Sequence, residues 1–203
     1  QVEISGDKSQ LNLKDILEFA DTVNLEDVRE LLETQISYNT AIAEEGLNNF
    51  WGASVGRTIL DAEPGSTLQR ARAAAAAGSD ARMNGCALPV VINSGSGNQG
   101  ITCCMPIVVY ARDLGCSHEQ LLRALTLSNL ISIHQKRFIG NLSAYCGAVS
   151  AGTAAACGIA YLQGADYDVI GTTIVNAVGT TGGIICDGAK SSCASKISAS
   201  VEA

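Results

Sequence analysis

The run AYCGAVSAGTAAACGIAYL, Ala144 to Leu162, passes nineteen residues without a charge, and most of them are Ala, Gly, Ser or Thr. Such side chains gain little from hydrocarbon, so the run is a poor membrane span. They do let helix backbones approach closely, and Gly147, Ser150, Ala151 and Ala154 suit a central helix enclosed on all sides. A second uncharged stretch, Val169 to Ile185, reads the same way, with Gln163, Asp166 and Asn176 interrupting the region. Across 203 residues, 28 Ala and 21 Gly make about a quarter of the chain, while aromatics are only 4%. That balance predicts a mostly α fold: a compact helical domain around this Ala/Gly-rich buried helix.

Outward from the core, the elements can be placed by periodicity. Leu13 to Thr22 predicts a short helix. Leu25, Val28, Leu32 and Ile36 then recur at helical spacing behind Asn24 as N-cap, predicting a longer one to about Asn48. Ser66 to Gly78 reads as an Ala-rich helix with its Gly as C-cap. Leu88-Pro89-Val90-Val91-Ile92 is a short strand-like segment, followed by a glycine loop and a helix from Ile101 to Leu114, with Pro106 expected in its first turn. A further helix runs from Ser117 to about Arg137, and a last one opens near Cys193.

Charge divides the chain. Residues 1–50 hold 11 acids and 3 bases, residues 51–203 hold 9 acids and 10 bases, and the net charge of the whole is −7. The expected organisation is therefore an acidic helical segment, 1–50, ahead of a helical domain, 51–203. A basic track for nucleic acid is missing, which leaves small molecules or proteins as partners. Eight cysteines without a signal-like opening fit a reducing, cytoplasmic setting. The first residue is Gln1, and the last ten residues carry no helix stop, so the sequence reads as a piece of a longer chain.

Two constellations could carry chemistry. In Ser94-Gly95-Ser96-Gly97-Asn98-Gln99-Gly100 the glycines match the spacing of a dinucleotide fingerprint, but no second strand follows to complete a βαβ unit. What remains is a glycine turn at a helix N-terminus, either a plain tight turn or a nest for a substrate carboxylate, with Ser94, Ser96, Asn98 and Gln99 as added hydrogen-bonding groups. Among the cysteines, Cys86, Cys116 and Cys157 read as packing residues, and adjacent Cys103 and Cys104 face different sides of a helix. Cys146 opens the small-residue helix, and Cys186 and Cys193 bracket the start of the last helix. No C-x-x-C pair is present.

The run Ser94 to Gly100, the Tyr145-Cys146-Gly147 helix start, and Ile185-Cys186-Asp187-Gly188-Ala189-Lys190 through Cys193-Ala194-Ser195-Lys196-Ile197 resemble the L-cysteine desulfidase family, relatives of the iron-sulfur L-serine dehydratase α chains. The resemblance covers most of residues 50–203. It implies a [4Fe-4S] cluster held by Cys146, Cys186 and Cys193 with one iron left open, and β-elimination on a small amino acid, cysteine or serine, to pyruvate and ammonia. The Gly-Cys-Thr-type segment that supplies the family's proton acceptor has no counterpart before Cys86. If this chain moves the proton itself, Lys190 is nearest to the implied ligands, with His134 and Lys136 as alternatives. Asp187 reads as N-cap of the last helix. The competing reading is a non-catalytic helical binding or regulatory module whose cysteines only pack. The Ala/Gly faces would also suit contacts between copies in a homo-oligomer.

Overall fold

The structure is a computed structural model that describes residues 7–140 and 143–203. Among them nine α-helices follow a short 3-10 turn: α1 (Leu13–Thr22), α2 (Glu26–Asn48), α3 (Val55–Ala62), α4 (Thr67–Met83), α5 (Gly97–Leu114), α6 (His118–Ile139), α7 (Gly147–Leu162), α8 (Tyr167–Thr181) and α9 (Ser192–Glu202). No helix of the described residues is long and apolar enough to cross a membrane.

The mostly α expectation holds, and the small-residue run is a buried helix. α7 packs against α5, α6, α8 and α9. A second helix is buried as deeply: α4 is enclosed by α2, α3, α5 and α9, and hides Ala71 and the whole run Ala73 to Ala81. The backbones touch because the contact residues lack side chains. A Cβ on Gly46 of α2 would fall 2.1 Å from the Ala77 carbonyl oxygen of α4, and one on Gly56 of α3 would fall 2.4 Å from that of Ala73. Through Gly46 the acidic first fifty residues rest directly on α4, while α1 packs on α6.

Three local expectations are revised. Gly78 does not end its helix; α4 continues to Met83, and Gly78 is a crossing point, where a Cβ would meet the Ile101 side chain of α5 at 3.0 Å. The strand-like segment pairs with no strand among the described residues. Its place in a ladder is taken by the buried Asn39 side chain of α2, which accepts from the Val91 N–H at 3.0 Å and donates to the Val91 carbonyl at 3.3 Å. α5 starts at Gly97, so Pro106 lies in its interior rather than its first turn. Proline there disturbs the preceding carbonyls, and Ser128 of α6 donates to that of Cys103 at 2.8 Å.

One buried carboxyl group holds the α3 junction. Ser54 precedes α3 with φ 51° and offers no side-chain cap; Asp80, fully buried in α4, accepts from the Val55 N–H at 2.7 Å instead. Burial pushes the Asp80 carboxyl up, while the N–H groups of Val55, Ala53 and Gly56 pull it down.

Backbone contact at the crossings predicts opposite effects for one chemical change. Gly46→Ala should destabilise by about 1–3 kcal/mol, the range for forced overpacking. Gly179→Ala, in an exposed part of α8 with open space around it, should stabilise by about 0.5 kcal/mol through helix propensity. Urea denaturation midpoints check both.

Candidate metal and substrate centre

Four helix ends meet on one side of the molecule, and three of them are N-termini. The α7 start is tied to the segment before α9 by an antiparallel bridge between Tyr145 and Ile185. In it the Cys146 N–H donates to the Ile184 carbonyl at 3.4 Å and the Cys186 N–H to the Ala144 carbonyl at 2.6 Å. The α5 start meets the α7 start where Gln99 lies over Gly147: a Cβ there would be 2.7 Å from Gln99 Nε2. The C-terminal end of α4 closes the ring, with Asn84 Oδ1 accepting from Ser191 Oγ at 3.0 Å and Arg82 donating to Asn98 Oδ1 at 3.3 Å.

The three thiols singled out in the sequence are thereby brought to one place. Cys146 and Cys193 are buried and Cys186 is exposed. Burial pushes the Cys146 thiol up; the N–H groups of Val149 and Ala148 at the α7 start pull it down, and the nearby Cys186 and Cys193 sulfurs raise it further. Cys193 lies in the first turn of α9, its sulfur 3.7 Å from the Gly188 carbonyl. Positive helix ends favour thiolate over thiol. Lys196, one turn after Cys193, adds a cation that acts on both Cys146 and Cys193; its hydrogen bond to Asp187 keeps it charged.

No group of three His, Cys, Asp or Glu side chains among the described residues converges tightly enough for a single metal ion. A four-iron cluster is far wider than one ion, so its thiolates stand apart from one another. Three thiols on two touching segments, two of them at helix N-termini beside a lysine and the third open to solvent, fit that larger group.

The other sequence candidates are divided among separate surroundings. Lys190 is exposed and pairs with Asp187 at 2.9 Å. Asp187 does not cap α9, whose N-cap is Ser191; it holds Lys196 and Lys190, and they keep its carboxyl well below the usual range. His134 lines a largely apolar cavity of about 570 Å³ together with Cys146, Gln135, Ser150 and Thr181. Its Nδ1 is buried without a partner among the described residues, and burial, helped by Arg137, pushes its pKa below the ordinary value. Lys136 lines a different cavity, with Ser94 and Gly95.

The glycine loop likewise has two parts. Asn93 to Ser96 is a tight turn closed by two backbone bonds, with φ 49° at Ser94 and 84° at Gly95, which explains the glycine at the second position. Gly97, Asn98 and Gln99 are the first turn of α5, whose N-cap Ser96 makes no side-chain cap. Their N–H groups have no backbone acceptor among the described residues, and Arg82 packs over Gly97, its Nε 2.3 Å from where a Cβ would be. Arg82 pairs with no carboxylate among the described residues. Sequence reasoning missed Arg82, since nothing local links it to Asn98. It also passed over Lys196, although the turn separating it from Cys193 is a visible signal.

The family described as serine dehydratase alpha chain matches residues 2–203. A UPF0597 protein of Desulfitobacterium hafniense is 55% identical over 197 residues, 97% of this chain and 46% of the relative. That of Lachnoclostridium phytofermentans is 55% identical over 197 residues, again 97% of this chain and 47% of the relative. That of Treponema denticola is 49% identical over 201 residues, with 97% and 47% covered. The chain thus spans about half the length of the curated relatives it matches. No solved structure matches it. The relation to serine dehydratase α chains, read from three motifs, is borne out.

Burial grades the thiols. Cys103 and Cys157 are pushed up to about 12, so in metal-free protein iodoacetamide should label Cys186 first, Cys146 and Cys193 more slowly, and Cys103 and Cys157 only after unfolding. Peptide mass spectrometry over a time course reads the order.

Proposed function

Because the chain belongs to the serine dehydratase alpha-chain family, we propose that it forms the cluster-holding part of an iron-sulfur lyase. The reaction is β-elimination on L-cysteine or L-serine: the α-proton and the β-substituent leave, and the resulting enamine hydrolyses to pyruvate and ammonia, with sulfide or water as the other product. The observation that carries this reading is the backbone pairing of residues 144–146 with 184–186, which joins the helix start bearing Cys146 to the segment bearing Cys186.

Cys146, Cys186 and Cys193 would hold a [4Fe-4S] cluster, which when bound supplies a Lewis-acidic iron for the departing thiol or hydroxyl. The chain's own groups do the rest. The bare N–H groups of Asn98 and Gln99 at the α5 start form an anion seat, and Arg82 adds an uncompensated positive charge beside it. A substrate carboxylate held there lies next to the Cys146-Gly147 turn, because Gln99 packs on Gly147. Lys196 stays charged through Asp187 and offsets the negative charge gathered by three thiolates.

Of the residues considered for proton transfer, His134 suits the task best. It shares a cavity with Cys146, and its lowered pKa leaves the imidazole neutral at neutral pH, ready to accept a proton. Lys190 is pinned to Asp187 in the open.

Anaerobically purified complete protein should be brown, absorbing broadly near about 400 nm, and should release pyruvate from cysteine or serine. Cys146→Ala, Cys186→Ala and Cys193→Ala should each lose the colour and the turnover, whereas Cys116→Ala keeps both. His134→Asn should keep the colour and lower kcat by about 10²–10³-fold. Since the neutral imidazole is the competent form and its pKa is depressed, activity should persist as pH falls through 6.5 and fail only below it. Colourless, iron-replete protein would favour the non-catalytic module.

A further inference from the structure

Beyond the cysteine centre lies a cavity of about 360 Å³ lined by Lys8, Ser94, Gly95, Ile133, Lys136 and Arg137. It shares no residue with the one beside Cys146; the two occupy different faces of the last turns of α6. Three of its six residues are cations from two separate elements, and among the described residues none of the three forms an ion pair. Among the described residues, Asp7 and Arg137 act on one another. The negative end of α6 accounts for a lysine and an arginine near its C-terminus, but not for the burial of one. Lys136 is only 8% exposed as a residue; its ammonium is not one of the buried polar atoms left without a partner, so the stem is covered while the residue lines the cavity. Arg137 is fixed: it donates to the carbonyls of Lys8, Ser9 and Leu11 at 3.1, 2.7 and 3.3 Å. The neighbouring turn adds donors. Asn93 and Ser96 satisfy each other, leaving the Ser94 and Gly95 N–H groups without a backbone acceptor among the described residues.

A nearly buried lysine, two more cations and two unused N–H groups around a cavity make a receptacle for negative charge. We propose that this cavity is a second anion site, separate from the substrate centre, that takes a phosphate or phosphoryl group. Three cations lining one cavity favour a dianion over a carboxylate. The same turn leads into the α5 start, so an occupant there fixes the backbone on which the substrate seat is built.

Isothermal titration of the complete protein with inorganic phosphate, at constant ionic strength in sodium chloride, tests the site without cluster or turnover, so its failure is distinct from that of the lyase reading. Glycerol 3-phosphate forms the second arm, and the tighter ligand identifies the source of the phosphoryl group. Saturable binding is expected, weakened about tenfold or more in Lys136→Met and largely kept in Lys136→Arg. Arg82→Met, altered at the substrate seat, should bind as the unmodified protein does. If circular dichroism shows Lys136→Met unfolded, Lys8→Met at the exposed rim replaces it, with a severalfold loss expected. No saturable heat in either arm, unchanged affinity in the folded Lys136→Met or its Lys8→Met replacement, or competitive displacement of phosphate by L-serine would each overturn the proposal.

Discussion

Helix backbones in this protein are in contact, and the rest follows from that. Where Gly46 and Gly56 meet α4, the approach leaves no room for a methyl group. At α4, whose buried residues are mostly alanine, the stabilisation comes from many close carbon contacts, while the fully buried Ile101 and Ile107 of α5 and Leu122, Leu125 and Ile131 of α6 fill the space farther out. The arrangement also fixes helix ends. Long side chains at a crossing can repack and let a helix slide, whereas a glycine against a carbonyl defines one position. The start of α5 is set in this way, by Gly100, where a Cβ would fall 2.0 Å from the Val91 carbonyl oxygen.

Fixed helix starts have an electrostatic consequence. Three N-termini pointing to one region create a positive field from backbone dipoles alone. That field works against the burial that pushes the Cys146 thiol up, and Lys196 adds its charge at the edge. Its opposite number is the C-terminal end of α6, where Lys136 and Arg137 gather on the far side of the glycine turn. The turn of Asn93 to Ser96 joins the two regions, one part facing each.

Much of this was legible in the sequence. α1 has the bounds its pattern suggested, and the uncharged run from Ala144 is the buried helix its composition called for. Small residues announce close packing regardless of partner, so α7 could be recognised without knowing its neighbours. The errors have a common cause. Gly78 and Pro106 are punctuation in an isolated helix, but tertiary contacts override them: Ile101 fills the space over Gly78, and Ser128 serves a carbonyl near the proline. The segment before the glycine loop has strand composition, yet its partner is the Asn39 side chain, which no periodicity reveals. At the site, the three cysteines carried a recognisable pattern, while Arg82 gains its meaning only from the meeting of α4 with α5.

The central claim is that Cys146, Cys186 and Cys193 converge to hold iron. Mössbauer spectroscopy of the anaerobic, iron-enriched complete protein tests it most directly. The account predicts a [4Fe-4S] spectrum in which one iron changes on adding L-serine or L-cysteine, and its loss when the three cysteines are replaced together. The same cluster spectrum persisting in the triple replacement would contradict it.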